Sequence, residues 1–104
     1  MRTGLAETYP DLAHLLGAYL HRDFSLFGPT LADAVAAFAR DEPAAAVTAA
    51  RRDIARFARA HTLDCEAALH RLEPDLSRPP GMTASEFLNW LDAQLSGAQP
   101  PGIP

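Results

Sequence analysis

The sequence contains no lysine. Every basic side chain other than the four histidines is an arginine. With alanine abundant, this is the codon signature of a GC-rich bacterial genome. Cysteine is nearly missing too: Cys65 stands alone, so no internal disulfide can form, which fits a reducing compartment. No apolar run approaches the roughly 20 residues that span a bilayer. No basic segment followed by an apolar stretch opens the chain, so a secretory signal is not expected. Together these absences predict a soluble cytoplasmic protein with no membrane contact. Alternating runs of β-branched residues are also lacking, which removes strands from the expectation. A basic excess is missing as well. The formal net charge is −4 at pH 7, which argues against direct nucleic-acid binding, since that needs cations to displace counterions.

What remains is a pattern of helices. The 104 residues fit one domain, and 48% hydrophobic against 21% charged residues is a globular balance. Residues 1–8 carry no strong pattern and read as a loose N-terminus. Thr8 and Asp11 resemble a capping box, and Pro10 suits a first helical turn. Leu12, Leu15, Leu16, Tyr19 and Leu20 then follow at helical spacing, predicting a helix from 10 to 21 or 22. Gly17 inside it implies close packing against a neighbouring helix. Residues 23–29 form a connector that ends in the Gly28-Pro29 break. Thr30 and Asp33 cap a helix over 31–40 with Leu31, Val35 and Phe38 inward. A third helix runs over 43–60, with Val47, Ala50, Ile54, Phe57 and Ala58 as its buried stripe. A fourth starts at Thr62 or Asp64 and stops before Pro74. The Thr83 and Glu86 capping box opens the fifth, with Leu88, Leu91 and Leu95 inward, Phe87 and Trp90 flanking and Gly97 as C-cap. Residues 98–104 read as a flexible proline-rich tail. The fold class is all-α, a compact single-domain bundle of about five helices spanning 9–97.

Catalytic constellations do not assemble. His21-Arg22-Asp23 matches the triplet of the kinase catalytic loop, but the downstream Asn, the Asp-Phe-Gly element and the phosphate-covering loop are missing. His14, His21, His61 and His70 lack the recurrent spacings of a zinc site. Cys65 lies near His61 and His70 but carries no nucleophile signature. The carboxylates Asp11, Asp33, Asp41, Glu42, Asp64 and Glu86 sit at helix starts, where capping explains them. Arg51, Arg52, Arg56 and Arg59 form an arginine-rich face, interrupted by Asp53 and best read as a solvated surface with local ion pairs. No catalytic, cofactor or metal residue is assigned.

The stretch Tyr9-Pro10-x-Leu12-x-x-Leu15-x-Gly17-Ala18-Tyr19-Leu20-His21-x-Asp23-Phe24 resembles the N-terminal motif of the small helical immunity proteins of contact-dependent growth inhibition systems. The later run Ser85, Glu86, Phe87, Leu88, Asn89, Trp90 and Leu91 fits the same pattern. Glu73-Pro74-Asp75-Leu76 departs from it, standing where the family usually has glycine and aromatic residues. The resemblance covers roughly 9–95. It implies a noncatalytic cytoplasmic protein that needs no cofactor and neutralises a cognate toxin domain, such toxins often being nucleases. Asp23, Phe24 and Phe27 are the candidate partner-binding residues, because aromatic anchors beside a desolvated charge are typical hot-spot material. The alternative of a different class is a small helical adaptor or regulator with a non-toxin partner. An enzyme built on His21 and Asp23 is the third reading.

Overall fold

A computed structural model describes residues 4–98. Six α-helices occur there: α1 (Leu5–Thr8), α2 (Pro10–Tyr19), α3 (Leu31–Asp41), α4 (Ala44–Ala60), α5 (Cys65–Leu72) and α6 (Ala84–Ala98). A single 3-10 turn, Phe24–Phe27, separates α2 from α3. The all-α expectation therefore holds, with one helix more than the sequence pattern indicates. Residues 5–8, read as part of a loose end, form the extra turn, closed by the Gly4 N–H donating to Glu7 Oε1 at 2.6 Å. Helix α6 runs through Gly97 to Ala98, so Gly97 is not its C-cap. The rest of the expected tail, 99–104, lies outside the described residues.

The core is a single cluster drawn from every helix of two turns or more. Leu12, Leu15, Leu16 and Leu20 from the α2 segment meet Val35 and Phe38 of α3, Val47, Ala50, Ile54 and Phe57 of α4, Leu69 of α5 and Phe87, Leu88, Leu91 and Leu95 of α6. Phe87, expected on a flank, is fully buried, while Trp90 packs from the edge of the core. The stripe on α6 is thus wider than its leucines alone define, as a core-facing helix needs an apolar arc of at least about 100°. Helix α2 packs most extensively on α4, and α6 closes over α3 and α4.

The capping signals divide instructively. Thr30 and Asp33 form the expected box on α3: Asp33 N–H donates to Thr30 Oγ1 (3.2 Å), and Thr30 N–H donates to Asp33 Oδ2 (3.0 Å). Thr83 and Glu86 form the equivalent pair on α6. The expected Thr8 and Asp11 box does not form. Thr8 belongs to α1, where its hydroxyl donates to the Gly4 carbonyl, and Tyr9 is the N-cap residue of α2. The cap on α2 comes from elsewhere in the chain. Asp53 of α4, only 4% exposed, accepts from the N–H groups of Asp11 (2.9 Å) and Leu12 (3.1 Å) through Oδ2. Pro10 has no N–H, and Ala13 N–H already donates to the Tyr9 carbonyl, so every donor of the first turn is accounted for.

Gly28 holds the turn between the 3-10 segment and α3. Its φ of +143° is a conformation that side chains disfavour, and a Cβ there would sit 2.5 Å from Asp33 Cβ. Gly28→Ala is therefore expected to displace Asp33 and break the α3 capping box. The expected loss is about 2 kcal/mol, combining backbone strain with a lost cap. A lower urea midpoint at unchanged slope would register it. Gly17 has a different role from the helix packing expected of it. It is exposed, and the atom facing it is Glu73 Oε1, from the connector after α5.

Candidate functional site

The segment after α2 is built by two ladders. Leu20 N–H still donates to the Leu16 carbonyl, ending the helix. The backbone then turns outward and pairs with residues beyond α5. His21 and Leu76 form an isolated antiparallel bridge, Ser77 N–H donates to the Leu20 carbonyl (2.8 Å), and Ser77 Oγ donates to the His21 carbonyl (3.2 Å). Arg22 seals the pairing with a 2.8 Å ion pair to Asp75. Next comes the 3-10 ladder, with Phe24 N–H donating to the His21 carbonyl and Leu26 N–H donating to the Asp23 carbonyl.

This geometry accounts for the His-Arg-Asp triplet without catalysis. His21 Nδ1 accepts from Asp23 N–H at 3.1 Å, which places a neutral ring's proton on Nε2. The Asp23 carboxylate, 3.7 Å from the same nitrogen, then approaches it without a hydrogen bond. Arg22 points to a third partner, Asp75. The His21 and Arg22 side chains fix a chain reversal, the Asp23 carboxylate stays open, and the three do not converge on one point.

The three candidate residues occupy two environments. Asp23 is open, its side chain 65% exposed. Phe24 and Phe27 are half-buried and pack against the core. Phe27 stacks on Tyr19 with ring centroids 4.9 Å apart, and Tyr19 meets Phe38 edge-on at 5.3 Å. In a 3-10 turn side chains three apart eclipse, so residues 24 and 27 share the inward face and residue 26 leaves it. Leu26 is accordingly 81% exposed, a large apolar side chain on an ordered turn. The sequence reading overlooks it, although the three-residue spacing of the two phenylalanines carries the signal. Leu63, in the connector between α4 and α5, is fully exposed as well.

Beside the turn, one oxygen of Glu42 joins two helices. Tyr19 Oη donates to Glu42 Oε2 at 3.0 Å, and His14 Nε2 lies 3.0 Å from the same atom. The hydrogen bonds from His14 and then Tyr19 hold the Glu42 carboxyl below the usual carboxylate range. Burial, reinforced by Glu42, pushes the Tyr19 hydroxyl up. The network ties the end of α3 to α2 and buttresses the face on which Phe27 stacks.

Several other ionisable groups are held in structural contacts. Cys65 begins α5 half-buried, and burial, then the Glu66 and Asp64 charges, push its thiol up, away from the reactive thiolate. His61 bonds to Asp64 (3.0 Å) and lies against Phe57. Glu66 reaches across to α6, where Oε2 accepts from Ala84 N–H at 2.6 Å while Oε1 pairs with Arg78 at 3.0 Å. That backbone contact, with Arg78 second, lowers the Glu66 carboxyl below its ordinary value. A shallow pocket of about 220 Å³ next to it, lined by residues including Glu66, His70, Glu73 and Arg78, is polar and open. On α4, Arg51 pairs with Asp92 (2.8 Å) and Arg56 with Asp53 (2.9 Å), so half of the arginine face is tied to neighbouring carboxylates. Among the described residues, no three His, Cys, Asp or Glu side chains are grouped to hold a metal, and no helix is long and apolar enough to cross a membrane.

Comparison with known proteins agrees with the motif. Residues 8–95, from the end of α1 to the last turns of α6, match the family model of the CdiI immunity protein. No curated protein and no solved structure matches the chain.

Proposed function

The chain belongs to the CdiI immunity protein family, and from that membership we propose that it binds and neutralises one cognate toxin domain in the cytoplasm by direct noncovalent contact. The single observation that carries the reading is the length of the match, which takes in α2 to α6 and the turn between α2 and α3. It performs no chemistry of its own. Its charge of −4 suits a toxin with a basic substrate-binding surface, as a nuclease has, because opposite charge accelerates encounter.

The test is coexpression with a candidate cognate toxin domain, the C-terminal domain of a large secreted protein from the same genome. Cells carrying both should grow, and the two proteins should coelute on gel filtration as one complex. Continued toxicity together with separate elution would overturn the proposal.

A further inference from the structure

Among the described residues two exposed leucines, Leu26 and Leu63, stand out from a surface that otherwise buries its large apolar side chains, and their surroundings differ. Leu63 lies by a shallow groove whose two carboxylates, Asp64 and Glu66, are already engaged by His61, Arg71, Arg78 and a helix terminus. Leu26 lies on a turn whose neighbouring charge is only partly neutralised. Its N–H is bonded to the carbonyl of Asp23, whose carboxylate has no guanidinium partner among the described residues. The bridge at Leu76 brings the connector after α5 alongside, adding Asp75 and Glu73. The one arginine next to the turn, Arg22, is spent on Asp75, which leaves the Asp23 carboxylate without a guanidinium.

The turn is also stiff. Phe24 and Phe27 anchor it to the core, Gly28 and the α3 cap fix its exit, and Ser77 with Arg22 fixes its entry. A preorganised apolar side chain loses little entropy when it is covered, which is what a binding anchor requires.

We propose that this composite knob, the 3-10 turn joined to residues 73–76, is the surface that docks the toxin domain, with Leu26 as the apolar anchor and Asp23 as the steering charge. The occupant is a protein surface with an apolar recess rimmed by lysine or arginine. This rests on the immunity reading and narrows it to one face of the molecule. Phe24 and Phe27 act in it as positioning residues, holding the backbone that presents Leu26.

Calorimetric and stopped-flow titrations of the full chain with a catalytically dead form of that candidate toxin domain test the idea. Leu26→Ala should weaken binding about tenfold, the size of a hot-spot truncation. Leu26→Arg should weaken it further, at an unchanged melting temperature. Asp23→Asn should slow association and flatten its salt dependence, since the lost charge acts mainly on encounter. Leu63→Ala should leave both constants unchanged. If the wild-type chain binds and Leu26→Arg binds equally well, the docking surface is elsewhere and this inference alone falls. If the wild-type chain forms no complex, the immunity reading falls and takes this inference with it. If Leu26→Arg instead dissolves a dimer of the free chain, a second copy covers the knob and the inference is likewise overturned.

Discussion

Replacing Asp53 with alanine is expected to lower the stability of the bundle by about 3 kcal/mol, the sum of a lost helix cap and a lost charge-assisted hydrogen bond on buried donors. One carboxylate does three things at once. Oδ2 accepts from Asp11 and Leu12 N–H, and Oδ1 takes the Arg56 guanidinium. Leu12 is fully buried, so its orphaned N–H would have no water to turn to. The negative charge also faces the positive end of the α2 dipole, and alanine removes that as well. Arg56 matters less, because it is half-exposed and would regain solvent. Asp53→Asn separates the two contributions: an amide oxygen still accepts from the backbone while the ion pair is gone. It should cost only about 1 kcal/mol. In a domain of this size, 3 kcal/mol corresponds to a fall in melting temperature of roughly 12–24 °C. Equal losses for the alanine and asparagine variants would show that the ion pair, not the cap, is what Asp53 contributes.

Asp53 also marks where the sequence stops being legible. The helices are written in local periodicity, and the boxes at Thr30 and Thr83 lie within three residues of their partners, so both can be read from the chain. Asp53 caps a helix that begins 43 residues before it, and Glu66 caps one that begins 18 residues after it. Nothing at these positions announces a distant partner. A carboxylate among arginines on α4 therefore reads as an interruption of a solvated face, although it is one of the most buried polar groups. The exposed Leu26 was hidden for a related reason. In a run of apolar residues, the composition cannot say which one points outward until the turn type is known. The family motif, by contrast, is legible because it is mostly core. Tyr9, Leu12, Leu15, Tyr19 and Leu20 are all buried, so what the motif records is the packing of α2 on its neighbours. Pro10 and Asp23 are its exposed exceptions, Asp23 the charged one, and Gly17 is exposed without a side chain to offer a partner. The resemblance thus speaks to fold and membership, while the binding face has to be sought among residues beside the motif's buried stripe.

Phe57→Ala should be the most damaging single truncation, costing about 3–5 kcal/mol as expected for a fully buried aromatic side chain. Phe57 is 0% exposed on α4 and receives the edge of Tyr9 at 5.1 Å, with the His61 ring 4.7 Å away. Tyr9 in turn lies under the Arg56 guanidinium, 5.0 Å from its ring centroid. Removing the phenyl ring therefore undercuts the residue that starts α2, two positions before the Asp11 N–H that Asp53 caps, and the two losses should not add. The combined Phe57→Ala and Asp53→Ala chain is expected to lose less than the sum of the single variants, because neighbouring sites couple. Phe57→Leu keeps most of the volume and should cost under about 1.5 kcal/mol. Against a total stability of roughly 5–15 kcal/mol, the alanine variant would leave a measurable unfolded fraction and fail to protect cells as temperature rises. That failure differs in kind from the one expected of Leu26→Arg, which should lose protection at every temperature while melting like the wild type. Thermal denaturation run beside a growth-protection assay separates the two. A Phe57→Ala chain that melts within a few degrees of the wild type would show that the α2 and α4 interface is not the centre of the core.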